Sequence, residues 1–154
     1  MFLELSDELT KQHVEHTVVP HTRTQSAMAE AHAVGVTAHE VAKTVVVVGE
    51  SGYIRAVVSA SDRLDLQKLR HEIDSTTKLR LATEPELGAA YPGFELGAVP
   101  PLGGPYGDRV VVDARLAEED EVVLEAGTHA QSIKLHMCDL LALSRAEVAD
   151  IAAD

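Results

Sequence analysis

Residues 43–60 read KTVVVVGESGYIRAVVSA and carry the clearest structural signal in the chain. Two runs rich in β-branched residues stand on either side of GESG, a short segment of glycine and polar residues. β-branched residues favour strands, and two such runs around a short glycine-containing segment are typical of a hairpin. The sequence therefore predicts an antiparallel β-hairpin over these residues.

The segment before the hairpin alternates helix and strand signals. Ser6 can cap a short first helix, and Thr24 can cap a second helix that Gly35 ends. Between them, residues 16–19 form a brief extended run that ends at Pro20. We therefore expect one short strand between two helices.

Three capping boxes, in which a serine or threonine is followed three residues later by glutamate, predict further helix starts. They are Thr37 with Glu40, Thr83 with Glu86, and Ser144 with Glu147. Asp139 can also cap a closing helix. A helix without such a box is expected where Leu66, Leu69 and Ile73 recur at helical spacing.

Strand patterns return after that helix. They are the short KLRLA at 78–82, RVVVD at 109–113, EVVLEA at 121–126, and a later segment in which Ile133, Leu135 and Met137 share a face. Because strands and helices are mixed without regular alternation, the sequence predicts an α+β fold with a mixed sheet.

Composition limits the class of protein. The chain has 154 residues, of which 45% are hydrophobic and 25% charged, so residues 1–154 are expected to form one soluble domain. No signal-peptide or membrane-span pattern is present, which predicts a cytoplasmic protein. Cys138 stands alone, which excludes an internal disulfide and a cysteine zinc cage, and we expect it to be a small core residue.

The formal net charge of −12 argues against a protein that grips a long nucleic acid, since phosphate binding depends on basic surface. A short or end-on contact with a nucleic acid remains open.

Residues 96–107 read LGAVPPLGGPYG and hold four glycines and three prolines. Proline fixes φ and lacks an N–H, while glycine permits close approach. The stretch is therefore either a stiff wall whose remaining N–H groups can bind a carbonyl or carboxylate oxygen, or an ordinary surface connection.

Two other places carry polar groups that suit a binding site. Lys43 begins an apolar strand, so its ammonium either extends over the sheet end into a pocket or merely marks a solvated strand end. After a glycine turn, Thr128 and His129 either hydrogen-bond a substrate or serve a structural role.

In this order, these features resemble the YbaK/prolyl-tRNA synthetase-associated domain family, whose members hydrolyse wrongly aminoacylated tRNA. The resemblance covers nearly the whole chain through PHTRTQSAMAEAHAVG, VAKTVVVV, SASDRLDLQKL, RLATEPEL, GAVPPLG and AGTHAQSIKL. The family's lysine falls on Lys43, its glycine-x-x-x-proline loop on 97–101, and its late substrate turn on 127–129.

The resemblance implies a mixed sheet, partly closed like a barrel and flanked by helices, with a pocket for the aminoacyl group at the 3′ end of tRNA. An oriented water would attack the ester, and backbone N–H groups of the loop would stabilise the oxyanion, without a cofactor, a metal or a side-chain nucleophile. Lys43 and His129 would then be catalytic. The implied substrate-binding residues are His21, Gly97, Ala98, Val99, Pro100, Pro101, Gly127 and Thr128, with His21 equally readable as a turn residue after Pro20.

The chain carries no attached synthetase, so the resemblance implies an editor that acts in trans on mischarged tRNA through its acceptor 3′ end. A synthetase or an elongation factor could deliver that tRNA. We expect a monomer or a weak dimer, with neither DNA nor a membrane as a partner.

Two other classes of function stay open. One is a non-catalytic module whose pocket holds a small molecule or the 3′ end of tRNA. The other is a metal hydrolase, suggested by the eight histidines but disfavoured because no HExxH or comparable ligand spacing occurs.

Overall fold

The computed structural model describes residues 5–24, 26–92, 94–95, 98–101, 108–125 and 127–154. The helices in these ranges are α1 (Leu5–Lys11), α2 (Ala27–Val34), α3 (Leu66–Glu72), α4 (Glu84–Ala90), α5 (Ala114–Ala117) and α6 (Met137–Ser144). The strands are β1 (His16–Pro20), β2 (Ala42–Gly49), β3 (Gly52–Ser59), β4 (Arg80–Leu81), β5 (Arg109–Asp113), β6 (Glu121–Glu125), β7 (Gln131–His136) and β8 (Glu147–Ala149).

The predicted hairpin is confirmed and forms the centre of the larger sheet. Strands β2 and β3 pair antiparallel, with Lys43 opposite Val58 and Gly49 opposite Gly52. The larger sheet has the order β4-β2-β3-β5-β8, and its β3–β5 and β5–β8 pairs are parallel. A smaller antiparallel sheet has the order β1-β7-β6. The fold is therefore α+β with one mixed and one antiparallel sheet, and the strands of the described ranges do not form a closed barrel.

Strand β3 is buried on both faces along most of its length, because each face covers a different core. Val57 belongs to the cluster that also contains residues of the smaller sheet, such as Leu124 and Ile133. Its neighbours Ala56 and Val58 point the other way, into a cluster with residues of α3 and β5. Burying a valine side chain contributes roughly 1.5 kcal/mol or more, so the continuous apolar run stabilises both cores at once.

The first two helices begin elsewhere than their predicted caps. Ser6 lies inside α1, which already includes Leu5, so it does not cap that helix. Ser26, and not Thr24, caps α2, because its hydroxyl accepts a hydrogen bond from the N–H of Ala29 at 3.0 Å. The predicted end of α2 is confirmed, since Gly35 adopts φ 82° and donates to the carbonyl of Ala31.

Of the three capping boxes, the one formed by Thr83 and Glu86 is confirmed, and it starts α4. Thr37 precedes a short 3-10 turn over Ala38–Glu40, but its hydroxyl donates to the Glu40 carboxylate at 3.1 Å and does not cap a backbone N–H. The prediction of a helical turn after Thr37 is therefore confirmed, whereas the predicted capping box does not form.

The third box is wrong, because residues 147–149 form a strand. Glu147 lies in β8, which pairs parallel with β5 opposite Val111. Ser144 ends α6, and its hydroxyl donates to the carbonyl of Leu140 at 2.7 Å. Asp139 likewise lies within α6 and not at its cap. Pairing with a buried strand overrides the local helix signal.

Cys138 is exposed, which corrects its expected place in the core. It lies on α6 between Met137 and Leu140, which are the buried residues of that helix. The core-facing positions recur at a spacing of three, and position 138 falls outside that stripe.

None of the helices in the described ranges is long and apolar enough to cross a membrane.

Candidate functional site

A cavity of about 650 Å³ lies where β2, the start of α2, the segment 98–101 and the turn after β6 meet. Part of its wall is apolar, with Val45, Val46, Ala82, Leu87 and Val99. The polar part carries Arg23, Lys43, Glu125 and His129. The fold thus brings four residues predicted for the site, Lys43, Val99, Pro101 and His129, to the same cavity.

Lys43 reaches the cavity from the second residue of β2. Its ammonium donates to the carbonyl oxygen of Asp62 at 2.8 Å. Asp62 lies in a turn after β3, where the Ser59 hydroxyl donates to its carboxylate at 3.3 Å. Burial lowers the pKa of Lys43, the charge of Asp62 opposes this and Arg63 adds to it. Within the described ranges, the ammonium makes one hydrogen bond out of the three that it can donate. That bond orients the side chain and leaves N–H groups that can bind a ligand.

His129 lies in the turn between β6 and β7, and its main chain is held from two sides. Its N–H donates to the Glu95 carboxylate at 2.7 Å, and its carbonyl accepts from the N–H of Thr24 at 2.9 Å. Glu95 in turn pairs with Arg23 at 2.8 Å. These backbone contacts fix the turn independently of the imidazole ring.

The His129 ring pairs with a carboxylate that also lines the cavity. Its Nδ1 lies 2.7 Å from Oε2 of Glu125, and both side chains are largely buried. The ring and the carboxylate therefore form a close, largely buried pair. Burial raises the pKa of Glu125, and His129 opposes the rise.

A second buried carboxyl lies nearby on α2. Glu30 is fully buried, and its Oε2 accepts from the Ser132 hydroxyl at 2.5 Å. Burial raises the pKa of Glu30 to about 7, the Ser132 hydrogen bond lowers it in part, and the charge of Glu125 raises it further. In the described part of the chain, Oε1 of Glu30 has no hydrogen-bond partner.

Sequence reasoning missed both carboxyl groups. Glu30 is the only acidic residue in AMAEAHAV. A single acid in an otherwise apolar helix could have indicated a buried carboxyl group. Glu125 ends β6 directly before the glycine turn.

His21 does not line the cavity. Its Nε2 lies 2.8 Å from the Ser132 hydroxyl and its Nδ1 lies 2.7 Å from the carbonyl of Thr22. The ring therefore joins the hydrogen-bonded group around Glu30, next to the segment of Arg23 and Thr24 that does line the cavity.

Gly127 and Thr128 shape the late turn. Gly127 has φ 94°, a left-handed conformation that favours glycine, and its carbonyl accepts from the N–H of Glu95 at 2.8 Å. The Thr128 hydroxyl accepts from the N–H of Ala130 at 3.4 Å. Neither residue is among those that line the cavity, and both belong to the turn that carries His129.

The glycine-proline stretch is described at 98–101 only, and Gly97 lies outside the described residues. Ala98 donates its N–H to the carbonyl of Glu95 at 3.0 Å, and Pro100 and Pro101 have no N–H to donate. The N–H of Val99 has no acceptor within the described ranges. Of these four residues, Val99 is therefore the one that can offer a backbone donor.

In the ranges that the structure describes, no group of three or more histidine, cysteine, aspartate or glutamate side chains could hold a metal ion.

Comparison with solved structures gives close matches over nearly the full chain. A candidate trans-editing enzyme for prolyl tRNA synthetase is 32% identical, with a TM-score of 0.83 and coverage of 97% of this chain and 95% of its own. A structure from computational grafting of epitopes onto scaffold proteins is 28% identical, with a TM-score of 0.83 and coverage of 97% and 94%. A hypothetical protein at 22% identity, with a TM-score of 0.85 and coverage of 97% and 99%, shares the fold.

A comparison with curated proteins found no significant match. The family model for the aminoacyl-tRNA editing domain, however, matches residues 20–143. That range takes in the whole cavity wall, from Arg23 through Lys43 to His129. With most of its length and every lining residue inside the match, the chain belongs to the aminoacyl-tRNA editing domain family.

Proposed function

We propose that this chain hydrolyses the ester bond of mischarged aminoacyl-tRNA, as a trans-acting editor of the prolyl-tRNA type. The observation that carries the proposal is the meeting of Lys43, Val99 and His129 at one cavity, in a chain of the editing-domain family. The likeness to a candidate trans-editing enzyme for prolyl tRNA synthetase supports the choice of tRNA.

The reaction needs little covalent chemistry from the protein, because an aminoacyl ester is already activated. A water must be oriented towards the carbonyl carbon, and the tetrahedral oxyanion must meet a hydrogen-bond donor. The N–H of Val99 supports the second role, since it belongs to a cavity residue and has no acceptor in the described ranges. Gly97, outside those ranges, is a second proposed donor.

Lys43 is proposed to hold the terminal phosphate or the polar groups around the ester, and so to place the carbonyl against the loop. Its ammonium is tethered to the Asp62 carbonyl, which limits the positions that it can take. Because burial lowers its pKa, an anionic group of the substrate would strengthen the charged form.

His129 is proposed to orient the attacking water. The short distance to Glu125 gives the ring an electrostatic partner inside the cavity wall, and the turn that carries it is fixed by its backbone. The apolar wall, with Val45, Val46 and Leu87, is suited to the side chain of a small or medium apolar amino acid.

A panel of mischarged tRNAs tests the proposal. Alanyl-, seryl- and cysteinyl-tRNA of the proline set are incubated with the protein, with and without a chelator, and the remaining ester is measured. Hydrolysis that the chelator leaves unchanged supports the editor. Hydrolysis that the chelator abolishes would indicate a metal enzyme, and no hydrolysis of any member would indicate a binding module with the same cavity.

A further inference from the structure

A buried arginine lies against the segment that lines the cavity. Arg55 is on β3, and its side chain is 3% exposed. Its guanidinium donates through Nη1 to the carbonyl of Pro100 at 2.9 Å and through Nε to the Asp108 carboxylate at 3.1 Å. Pro100 and Asp108 stand on either side of residues 102–107 in the sequence. One side chain therefore contacts the glycine-proline stretch and the residue that follows it.

Tyr91 completes this group. Its ring centroid lies 5.1 Å from the guanidinium carbon, and its hydroxyl donates to the same Asp108 oxygen. The ring also packs in an apolar cluster with Val46 and Val99, both of which line the cavity. The group thus supports Val99 from two directions, through Pro100 and through the tyrosine ring.

A buried ion pair alone does not explain the choice of arginine. Such a pair is seldom more stable than apolar side chains of the same volume, because both charges lose their hydration. The planar guanidinium, however, can make two directed hydrogen bonds at once, which the ammonium of lysine cannot reproduce with the same geometry. The bonds to Pro100 and Asp108 use that property.

We propose that Arg55 is a positioning residue for ester hydrolysis, holding the Pro100 carbonyl and thereby the Val99 N–H at the cavity wall. This inference rests on the proposed deacylase function. The fixed φ angle of Pro100 removes one of the rotations through which the chain between the Val99 N–H and the Pro100 carbonyl could absorb a displacement of that carbonyl. Misplacing a reacting group by about 1 Å can cost about a hundredfold in rate.

Arg55→Lys tests the role in steady-state deacylation of mischarged tRNA. We expect kcat to fall about tenfold to a hundredfold with little change in KM, because the variant misplaces an oxyanion donor and leaves the cavity otherwise intact. Arg109→Lys is the matched control, since Arg109 forms an exposed pair with Glu147 at the surface. That control should keep the wild-type kcat.

A second variant keeps the test valid if Arg55→Lys fails to fold. Arg55→Met combined with Asp108→Asn removes both charges together, so no buried carboxylate is left without its cation. The Tyr91 hydroxyl can still donate to the amide oxygen. A folded double variant should show the same loss in kcat, whereas wild-type kcat in either folded variant would overturn the proposal.

Amide hydrogen exchange gives a readout that does not depend on deacylation. Loss of the arginine contacts should speed exchange at the Ala98 N–H, which donates to Glu95, while amides of the β2–β3 pair keep their protection. If the wild-type protein hydrolyses none of the tRNAs, the proposed function fails, and this measurement still decides whether Arg55 holds the segment. Unchanged exchange at Ala98 in a folded variant would contradict that it does.

Discussion

At the scale of single residues, the main chain and the side chain of His129 have different roles. The main-chain groups hold the turn, and the imidazole carries the proposed chemical role. Its N–H and carbonyl make the contacts with Glu95 and Thr24, and alanine at this position keeps both main-chain groups. We therefore expect His129→Ala to keep a melting temperature close to that of the wild type and to lower the rate of deacylation. Thermal unfolding and single-turnover hydrolysis measure the two effects. Full activity would remove His129 from the site, and a large loss of stability would assign it a structural role.

The buried carboxyl of Glu30 predicts how stability depends on pH. Its pKa is about 7 in the folded protein against an ordinary 4.5, so between these values the unfolded chain releases a proton that the folded chain keeps. The free energy of unfolding attributable to this group is thus greatest below pH 4.5 and is lost as pH rises to 7.

Glu30→Gln removes that dependence, because the amide stays neutral and its oxygen can still accept from the Ser132 hydroxyl. At pH 8 the variant should be more stable than the wild type by up to about 3 kcal/mol, with the difference vanishing towards pH 4.5. Chemical denaturation of both proteins across this range measures it. A difference that does not vary with pH would contradict the buried, proton-holding carboxyl.

At the scale of elements, the loop is the part of the site that depends most on backbone. Gly97→Val should obstruct the approach of the ester and disturb a proposed donor, and loss of one oxyanion donor typically lowers the rate about 10²- to 10³-fold. Because position 97 is proposed to act on the substrate, circular dichroism of the variant should be unchanged. Normal deacylation by the folded variant would mean that the stretch is only a connection.

Elements with a strong local pattern were predictable, and those formed by distant contacts were not. The hairpin of β2 and β3 follows from adjacent β-branched runs, and the box at Thr83 from a local spacing. In contrast, the box at Ser144 is overridden by the pairing of β8 with β5, which no local pattern reports.

The same distinction applies to the site. Lys43 and the glycine-proline stretch were found by their sequence context and their resemblance to a family, and Lys43, Val99 and Pro101 line the cavity. The group of His21, Glu30 and Ser132 could not be found in that way, because its members are far apart in the chain and meet only through packing. The contacts of Arg55 with Pro100 and Asp108 are hidden for the same reason.

At the scale of the whole molecule, the net charge and the cavity suggest which part of a tRNA would be bound. The net charge of −12 disfavours a broad contact with the phosphate backbone, whereas the cavity itself carries Arg23 and Lys43. A molecule of this kind suits recognition of the acceptor end alone, with a synthetase or an elongation factor as the proposed source of the remaining affinity.

We propose that ester hydrolysis takes place in the cavity and that Lys43 holds the substrate there. The test is single-turnover hydrolysis of alanyl-tRNA of the proline set. It compares wild type with Lys43→Ala, Lys43→Arg and Lys11→Ala, a control at an exposed lysine. Circular dichroism establishes that each variant is folded. We predict rapid hydrolysis by wild type and control, loss of most activity in a folded Lys43→Ala, and partial recovery with arginine, whose planar fork replaces a point charge poorly. Wild-type rates in a folded Lys43→Ala protein would contradict this role of Lys43.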